Sequence, residues 1–254
     1  MVATAAQAQN SDPAALAALR LAVAAELNAA KLDHHPWDYR DHDVVPEKDA
    51  VYHVIETPHG DLHRLLSLNG QPLTGADEQA ELQRLRDFVN NPDEQARKKK
   101  DATHDGDQAR ELLTMLPNAF IWSTVSENAH EISLRFRPDP GFKPPDMQAR
   151  VLGTMAGNLV IAREGNRIQT LRGTLTSDVK FGFGIFGKID QGGTFDIERR
   201  QIRPGLWQIT ETHVHIGGKA VFFKTIGQQD DDVRTDWKPS TAPDLQTAEQ
   251  QIAH

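Results

Sequence analysis

The stretch from Leu171 to Arg200 constrains the fold most, because apolar and polar side chains alternate along most of it. Every second position is apolar or glycine: Leu171, Gly173, Leu175, Val179, Phe181, Phe183, Ile185, Phe195 and Ile197. A two-residue period is typical of strands with one buried face. Asp190-Gln191-Gly192-Gly193 indicates a turn. The stretch therefore predicts three consecutive antiparallel strands, at 168–176, 179–189 and 194–201.

Similar alternation elsewhere predicts about twelve strands, joined by short polar or glycine-containing turns. The others are Trp37–Val45, Ala50–Glu56, Leu62–Leu68, Phe120–Val125, Glu131–Arg137, Leu159–Arg163, Leu206–Ile216, Lys219–Ile226 and Asp232–Trp237. Apolar stripes at helical spacing predict helices near 14–30, 76–90, 107–116 and 147–155. A long antiparallel sheet curls, and helices are the natural filling for its concave face. We therefore predict an α+β fold in which a strongly curved antiparallel sheet of about twelve strands has helices over its concave face.

No shift in composition divides the chain, so we expect one domain over residues 12–238, with a charged helical insertion at about 75–116. Residues 1–11 are expected to be disordered, and residues 239–254 to form a flexible tail. Inside the insertion, Arg97-Lys98-Lys99-Lys100 would be a solvated helix or loop. The alternative is an electrostatic handle for anionic headgroups or a partner.

Composition excludes several classes of protein. The chain has 28 Lys and Arg against 36 Asp and Glu, a net charge of −8, which argues against general nucleic-acid binding. No apolar run approaches the roughly 18–20 residues of a membrane span, so we expect no membrane-spanning segment. Cysteine is absent, which excludes disulfides, a thiol nucleophile and thiolate metal sites.

Motifs for catalysis are missing. The sequence has no G-x-S-x-G, no H-E-x-x-H, no Walker loop and no G-x-G-x-x-G before a helix. His213 and His215 would point to one side of a strand with Glu211 beside them, a possible metal site. A polar outer strand face explains the same three residues, and we favour it. We therefore expect a protein that is not an enzyme and has no metal or cofactor.

The remaining feature is an apolar surface that could bind a ligand. Its wall would be Leu171, Phe181, Phe183, Ile185, Phe195 and Ile197, and its lid Leu16, Val23, Leu82 and Leu85 on the two helices near 14–30 and 76–90. Such a cavity would stabilise a bound acyl chain by about 0.8 kcal/mol per methylene. The alternative is an ordinary packed core between sheet and helices.

Three segments carry a resemblance to a known group. They are FRPDPGFKPPDMQARVLGTMAGNLVI (Phe136–Ile161), GTLTSDVKFGFGIFGKIDQGGTFDIE (Gly173–Glu198) and LWQITETHVHIGGKAVFFK (Leu206–Lys224), and LNGQPLT (Leu68–Thr74) also fits. Together they resemble uncharacterised exported bacterial proteins related to the outer-membrane lipoprotein-sorting carriers. The resemblance implies an unclosed half β-barrel with helices on its concave side. It also implies shielding of lipid acyl chains in the periplasm.

Export has some support in the N-terminal sequence, because Ala6-Gln7-Ala8 matches the end of a secretory signal. An ordinary loose terminus is the alternative. The leading hypothesis is a monomeric periplasmic binding or carrier protein for an acyl chain or other apolar ligand, in lipid or lipoprotein trafficking to the outer membrane. One rival is an envelope interaction or sensing module with a packed interior. A second is an enzyme that uses His213, His215 and Glu211.

Overall fold

The computed structural model describes residues 10–181, 187–220 and 228–253, with backbone alone at 181, 187, 219, 220 and 228. These ranges form an α+β fold with five α-helices and fourteen strands. The helices are α1 (Pro13–Leu32), α2 (Gly75–Val89), α3 (Pro92–Ala119), α4 (Met147–Leu152) and α5 (Leu245–Ile252). The strands are β1 (Trp37–Val45), β2 (Lys48–Thr57), β3 (Gly60–Leu68), β4 (Gln71–Pro72), β5 (Phe120–Glu127), β6 (Glu131–Pro138), β7 (Met155–Ala162), β8 (Arg167–Leu175), β9 (Val179–Phe181), β10 (Gly187–Ile189), β11 (Thr194–Arg203), β12 (Leu206–Ile216), β13 (Gly218–Ala220) and β14 (Gln228–Pro239).

The main sheet has eleven strands in the order β4-β3-β2-β1-β14-β12-β11-β8-β7-β6-β5. All neighbours are antiparallel, and β4 and β5 form two separate ends, so the sheet is unclosed. The predicted α+β class and the large antiparallel sheet are therefore confirmed. β1, near the start of the chain, pairs with β14, near its end. The other strands of the main sheet lie on either side of this pair.

The strand predicted at 179–189 is wrong. β9 and β10 instead pair with each other, Val179 opposite Ile189, and with β13 they form a second, three-stranded sheet. In the main sheet β8 lies directly beside β11, with Thr174 opposite Thr194. Alternation continues through both arms of a hairpin, so the pattern does not distinguish a hairpin from one long strand.

One row of paired residues defines the faces of the main sheet, because residues opposite each other in an antiparallel ladder point the same way. From β6 to β1 this row is Leu134, Leu159, Leu171, Ile197, Thr212, Asp232 and Asp43. We call the side that carries this row the cavity face. The opposite side carries His213 and His215 and is called the histidine face.

Helix α1 packs on the cavity face at the β5 end of the sheet. Asp12 caps it by accepting from the backbone N–H of Ala14, and Pro13 occupies its first position. Its Leu19 is fully buried in a core cluster with Leu134 and Leu159. This end of the sheet therefore holds the main apolar core.

The same helix bears on the question of a membrane span. Among the described residues, α1 is long and apolar enough to cross a membrane by those two criteria alone, which corrects the expectation that no stretch comes near. A core helix and a signal sequence meet the same criteria, and α1 buries Ala15, Leu19 and Ala22 in the core. The structure accordingly gives no clear membrane span.

Helices α2 and α5 pack at the other end of the sheet. Leu82 and Leu85 of α2 form a second cluster with Ile55 of β2 and with Leu245 and Ile252 of α5. Ile55 points to the histidine face, since it alternates with Val54, which is paired with Tyr39. The C-terminal segment thus contains a buried helix, which corrects the expectation of a flexible tail over 239–254.

The charged insertion consists of two helices, α2 and α3, separated by Asn90 and Asn91. Its second helix, α3, runs for 28 residues and includes the whole Arg97-Lys98-Lys99-Lys100 run, as the solvated-helix interpretation predicts. Pro117 lies inside its last turn, and the helix continues to Ala119 rather than ending at the proline. All four of these basic side chains are exposed.

Both ends of the main sheet have local partners. Along β3, the backbone N–H of Leu65 donates to Glu81 at 2.7 Å and the carbonyl of His63 accepts from Arg84 at 2.6 Å, both from α2. Along β5, the N–H of Asp12 donates to the carbonyl of Trp122 at 2.8 Å. The N–H of Trp122 donates to the hydroxyl of Ser11 at 3.0 Å. These contacts place α2 and the start of α1 against opposite edges.

Candidate ligand-binding site

The structure divides the predicted apolar site between two places. Leu171, Phe195 and the lid residues Leu16 and Val23 pack in the core cluster under α1. Ile197 lies in the same row of the cavity face and is half-buried. The other two lid residues, Leu82 and Leu85, belong to the second cluster, so the two predicted lid helices do not cover one surface. The side chains of Phe181, Phe183 and Ile185 lie outside the described residues.

A polar cavity of about 640 Å³ lies on the cavity face, and Glu81 and Arg84 of α2 and Lys98 of α3 border it beside β3. We call it the acidic cavity, and the residues that line it are Asp41, Asp43, Tyr52, His63, Leu65, Glu81, Arg84, Lys98, Asp230 and Asp232. Four strands supply its floor, in the order β14, β1, β2 and β3. It is therefore built across the junction between the two ends of the chain.

The spacing of the aspartates explains why four of them meet there. Asp41 and Asp43 are two residues apart on β1, and Asp230 and Asp232 are two apart on β14, so each pair points to one face. The register places Asp43 directly opposite Asp232. Both pairs consequently face the same cavity. The register also places one cation, Arg234 of β14, directly opposite Asp41.

Asp41 and Asp232 share the guanidinium of Arg234. Asp232 Oδ2 accepts from Arg234 Nη2 at 3.0 Å, and Asp41 Oδ2 lies 3.7 Å from Arg234 Nε. Asp41 is only 6% exposed. Within the described part of the chain, Asp41 Oδ1 and Asp232 Oδ1 are buried oxygens that accept no hydrogen bond. Two carboxylates thus face one cation, with acceptor capacity left over.

The excess of negative charge shows in the protonation of Asp41. Burial, the repulsion of the neighbouring Asp232 carboxylate and a hydrogen bond between the two carboxyl groups together raise the pKa of Asp41 to about 6. Arg234 opposes these effects but does not cancel them. A cation added close to Asp41 would therefore find a carboxylate whose charge is incompletely compensated.

Aromatic side chains hold Arg234 in place. Its guanidinium carbon lies 5.7 Å from the centre of the Tyr39 ring, and that ring stacks on Trp237 at 4.3 Å. Trp37 packs edge-on against Trp237 at 5.9 Å. Burial raises the pKa of the Tyr39 hydroxyl, so Tyr39 stays neutral. This aromatic group makes the position of the cation between the two aspartates a fixed feature.

The helical wall of the cavity carries charges that already have partners. Glu81 accepts from Arg84 Nε at 2.7 Å and from the backbone of Leu65, and it is 7% exposed. Lys98 of α3 donates to the carbonyl of Asp61 at 3.3 Å and lies 5.5 Å from the centre of the Phe88 ring. On the sheet floor Asp43 also has a partner, Lys48, so the incompletely compensated carboxylate is Asp41.

A second cavity of about 300 Å³ lies under the C-terminal half of α1. Glu26 of α1 and Arg167 and Arg199 of the sheet form a buried ion cluster on its border. Burial raises the pKa of Glu56, another lining residue, to about 7. The buried indole Nε1 of Trp37 donates no hydrogen bond within the described residues. Opposite charges nearly balance here, so this cavity does not select the charge of a ligand as the acidic cavity does.

On the histidine face, Asp231 lies between the two histidines. Its Oδ1 lies 2.6 Å from His213 Nδ1 and 3.0 Å from His215 Nε2. Glu211 Oε2 lies 3.8 Å from His213 Nε2. The hydrogen bond with Asp231 raises the pKa of His213. In the described ranges no group of three or more histidine, aspartate and glutamate side chains is arranged to hold a metal ion. The cluster is thus a surface ion network in this structure.

Sequence reasoning missed the acidic cavity. The D-x-D spacing at Asp41–Asp43 and at Asp230–Asp232 was visible, and on a strand it places both carboxylates on one side. The approach of the two pairs depends on β1 pairing with β14 across nearly the whole chain, which no local pattern reveals. Acidic residues on strands are also usually exposed to solvent, so the pattern alone does not indicate a cavity.

Comparison with models of known protein families, with curated proteins and with solved structures found no match. The resemblance to the lipoprotein-sorting carriers therefore stays a prediction.

Proposed function

We propose that this protein is a non-enzymatic binding protein, and that a positively charged group of its ligand occupies the acidic cavity. The supporting observation is the pair Asp41 and Asp232, which share one guanidinium and keep two buried oxygens without hydrogen-bond donors. Unpaired buried acceptors cost free energy, and a ligand N–H group would remove that cost. A half-open cavity of about 640 Å³ has room for such a group.

A titration with small cations tests this function. Spermidine and n-butylammonium are titrated into the protein at pH 7.5 in a calorimeter, and the Asp41→Asn variant is compared. Hydrogen bonds to charged groups contribute about 1.5–3 kcal/mol, so the variant is expected to bind at least about tenfold more weakly. Binding should also weaken as the pH falls through about 6, because Asp41 becomes protonated.

The matched control is Asp105→Asn, which removes the same charge from an exposed position on α3. It should bind both cations like the unmodified protein. If folded protein binds neither cation at pH 7.5, or if both variants weaken binding equally, the acidic cavity is not the site and the proposed function fails.

A second candidate function is the binding of an apolar ligand, as predicted from the sequence. The protein would be an exported carrier of acyl chains with a half-barrel fold, acting in lipid or lipoprotein trafficking in the periplasm. The observation that favours it is that Leu171, Phe195 and Ile197 on the cavity face are only half-buried. They are apolar side chains that α1 covers incompletely.

Uptake of an acyl-chain fluorophore tests this candidate. Ile197→Asp places a charge on the half-buried apolar surface and should abolish uptake. Ile209→Asp makes the same change on an exposed residue of β12 outside that apolar surface and should not. Native mass spectrometry of protein exported by its expression host would identify any lipid that co-purifies. A clean unliganded mass together with no uptake would rule this candidate out.

A further inference from the structure

We propose that one ligand uses both surfaces: an amphiphile with a cationic head in the acidic cavity and an alkyl chain along the neighbouring apolar part of the cavity face. This inference rests on the proposed function, since it extends the same site. It assigns Asp41 and Asp232 to the head group. It assigns Ile197 and Phe195 to the chain.

The register of the sheet connects the two surfaces. Asp232 is paired with Thr212, Thr212 with Ile197, and Ile197 with Leu171, so these four side chains lie in one row on one face. Adjacent strands are about 4.8 Å apart, which places Leu171 about 14 Å from Asp232 across three steps. The row changes from carboxylate to hydroxyl to aliphatic side chains over that distance.

Burial changes along the same row. Leu134 and Leu159, at the α1 end, are fully buried. Leu171, Ile197, Thr212, Asp232 and Asp43 are all half-buried, and Ala50 beyond them is fully buried again. The partly accessible part of the row therefore begins at Leu171, next to the buried core, and extends into the acidic cavity. A neighbouring row repeats the change, because Phe195 is paired with Val214 and Val214 with Asp230.

The charge of the head group follows from the carboxylates. Asp41, Asp43, Asp230 and Asp232 all line the cavity end of the row. A fatty acid lying in the same direction would bring another carboxylate against these groups, and like charges at this distance repel. Above about pH 6, where Asp41 is ionised, an ammonium group would instead donate to Oδ1 of Asp41 and Oδ1 of Asp232. The occupant that fits is thus a long-chain amine or a lipid with a basic head group.

A chain-length series tests the inference. Butyl-, octyl- and dodecylammonium, and the carboxylates of the same lengths, are titrated into the protein below their micellar concentrations. Each methylene buried on the apolar part of the row should tighten binding roughly fourfold, until the chain passes the row. Carboxylates should bind at least about tenfold more weakly than ammonium ions of equal length.

Two variants separate head from tail. Asp232→Asn should weaken all three ammonium ions by a similar factor, because it changes the head-group site alone. Ile197→Ser should flatten the chain-length dependence, because dodecylammonium should lose more affinity than butylammonium. Ile209→Ser, at an exposed position of β12 outside the row, is the control for the same substitution and should do neither.

The possible results distinguish the amphiphile inference from the proposed cation-binding function on which it rests. If butylammonium binds but the longer chains bind no tighter, the amphiphile is overturned and the cation-binding function stands. If no cation of any length binds, both fail. If carboxylates bind as tightly as ammonium ions, the charged head plays no part, and the acyl-carrier candidate replaces this one.

Discussion

Glu26, on α1, accepts two hydrogen bonds from the guanidinium of Arg167 at the start of β8, with N–O distances of 3.1 and 2.9 Å. The backbone N–H of Ile168 donates to the same carboxylate at 2.8 Å, and Arg199 of β11 also pairs with it. The charged partners lower the pKa of Glu26 despite its burial. One side chain thus fixes α1 to two strands of the main sheet.

Replacing Glu26 by alanine should destabilise the protein by about 3–5 kcal/mol, because it leaves two buried guanidinium groups without their carboxylate. The control is Glu127→Ala, which breaks the exposed pair with Arg163 and should cost less than about 1 kcal/mol. The free energies of unfolding come from urea denaturation. Equal losses for the two variants would mean that Glu26 does not anchor the helix.

Asp41 should make the protein less stable as the pH rises. Its pKa is about 6 in the folded state against an ordinary value of 3.8, so folding favours the protonated form. The stability from this group is present below about pH 4 and is lost between about 4 and 6, a change of about 2–3 kcal/mol. Asp41→Asn lacks this titration. Between pH 4.5 and 7.5 the unmodified protein should lose this free energy of unfolding, and Asp41→Asn should not. The control Asp105→Asn should lose it like the unmodified protein.

Gly173 makes room for the ring of Phe195. A Cβ atom added at Gly173 would lie 2.4 Å from Phe195 Cε1, well inside van der Waals contact. Gly173→Ala should therefore displace the ring and destabilise the protein by about 1–3 kcal/mol. Adding Phe195→Leu should recover part of that loss, which denaturation of the single and double variants measures. If the double variant is as unstable as the sum of the two single ones, the two sites do not interact.

The C-terminal helix should contribute to stability. Ile252 is fully buried against the second cluster, and its carbonyl accepts from Arg64 at 2.7 Å. Ile252→Ala should cost about 2–4 kcal/mol. Its exposed neighbour is the control, and Gln251→Ala should change stability by less than about 0.5 kcal/mol. A loose tail would give two small values.

Local patterns predicted much of the secondary structure. The strands Trp37–Val45 and Leu206–Ile216 have the predicted bounds, because unbroken alternation with clear turns leaves little freedom. The hairpin of β9 and β10 was missed for the opposite reason, since alternation continued through it. The helix at Leu245–Ile252 carried a visible signal in the spacing of Leu245, Ala248 and Ile252, but a short polar segment at a terminus more often stays loose.

The candidate site was beyond local patterns. The acidic cavity exists because β1 and β14 pair over a separation of nearly two hundred residues, and because side chains of α2 and α3 border it beside β3. Alternation specifies which side chains share a face of one strand, not which strands become neighbours. The apolar positions of the predicted wall were correctly placed on one face of β8 and β11, while their neighbours across the sheet were not foreseeable.

The contacts at the two ends of the main sheet have a consequence for self-association. An open sheet exposes backbone groups along its outermost strands, and these can recruit strands from other molecules. Here side chains of Glu81 and Arg84 occupy the free groups of β3, and Pro72 removes a donor from β4. Ser11 and Asp12 occupy those of β5 at Trp122. Removing the residues before Pro13 should therefore promote aggregation by strand addition, even where the fold itself survives.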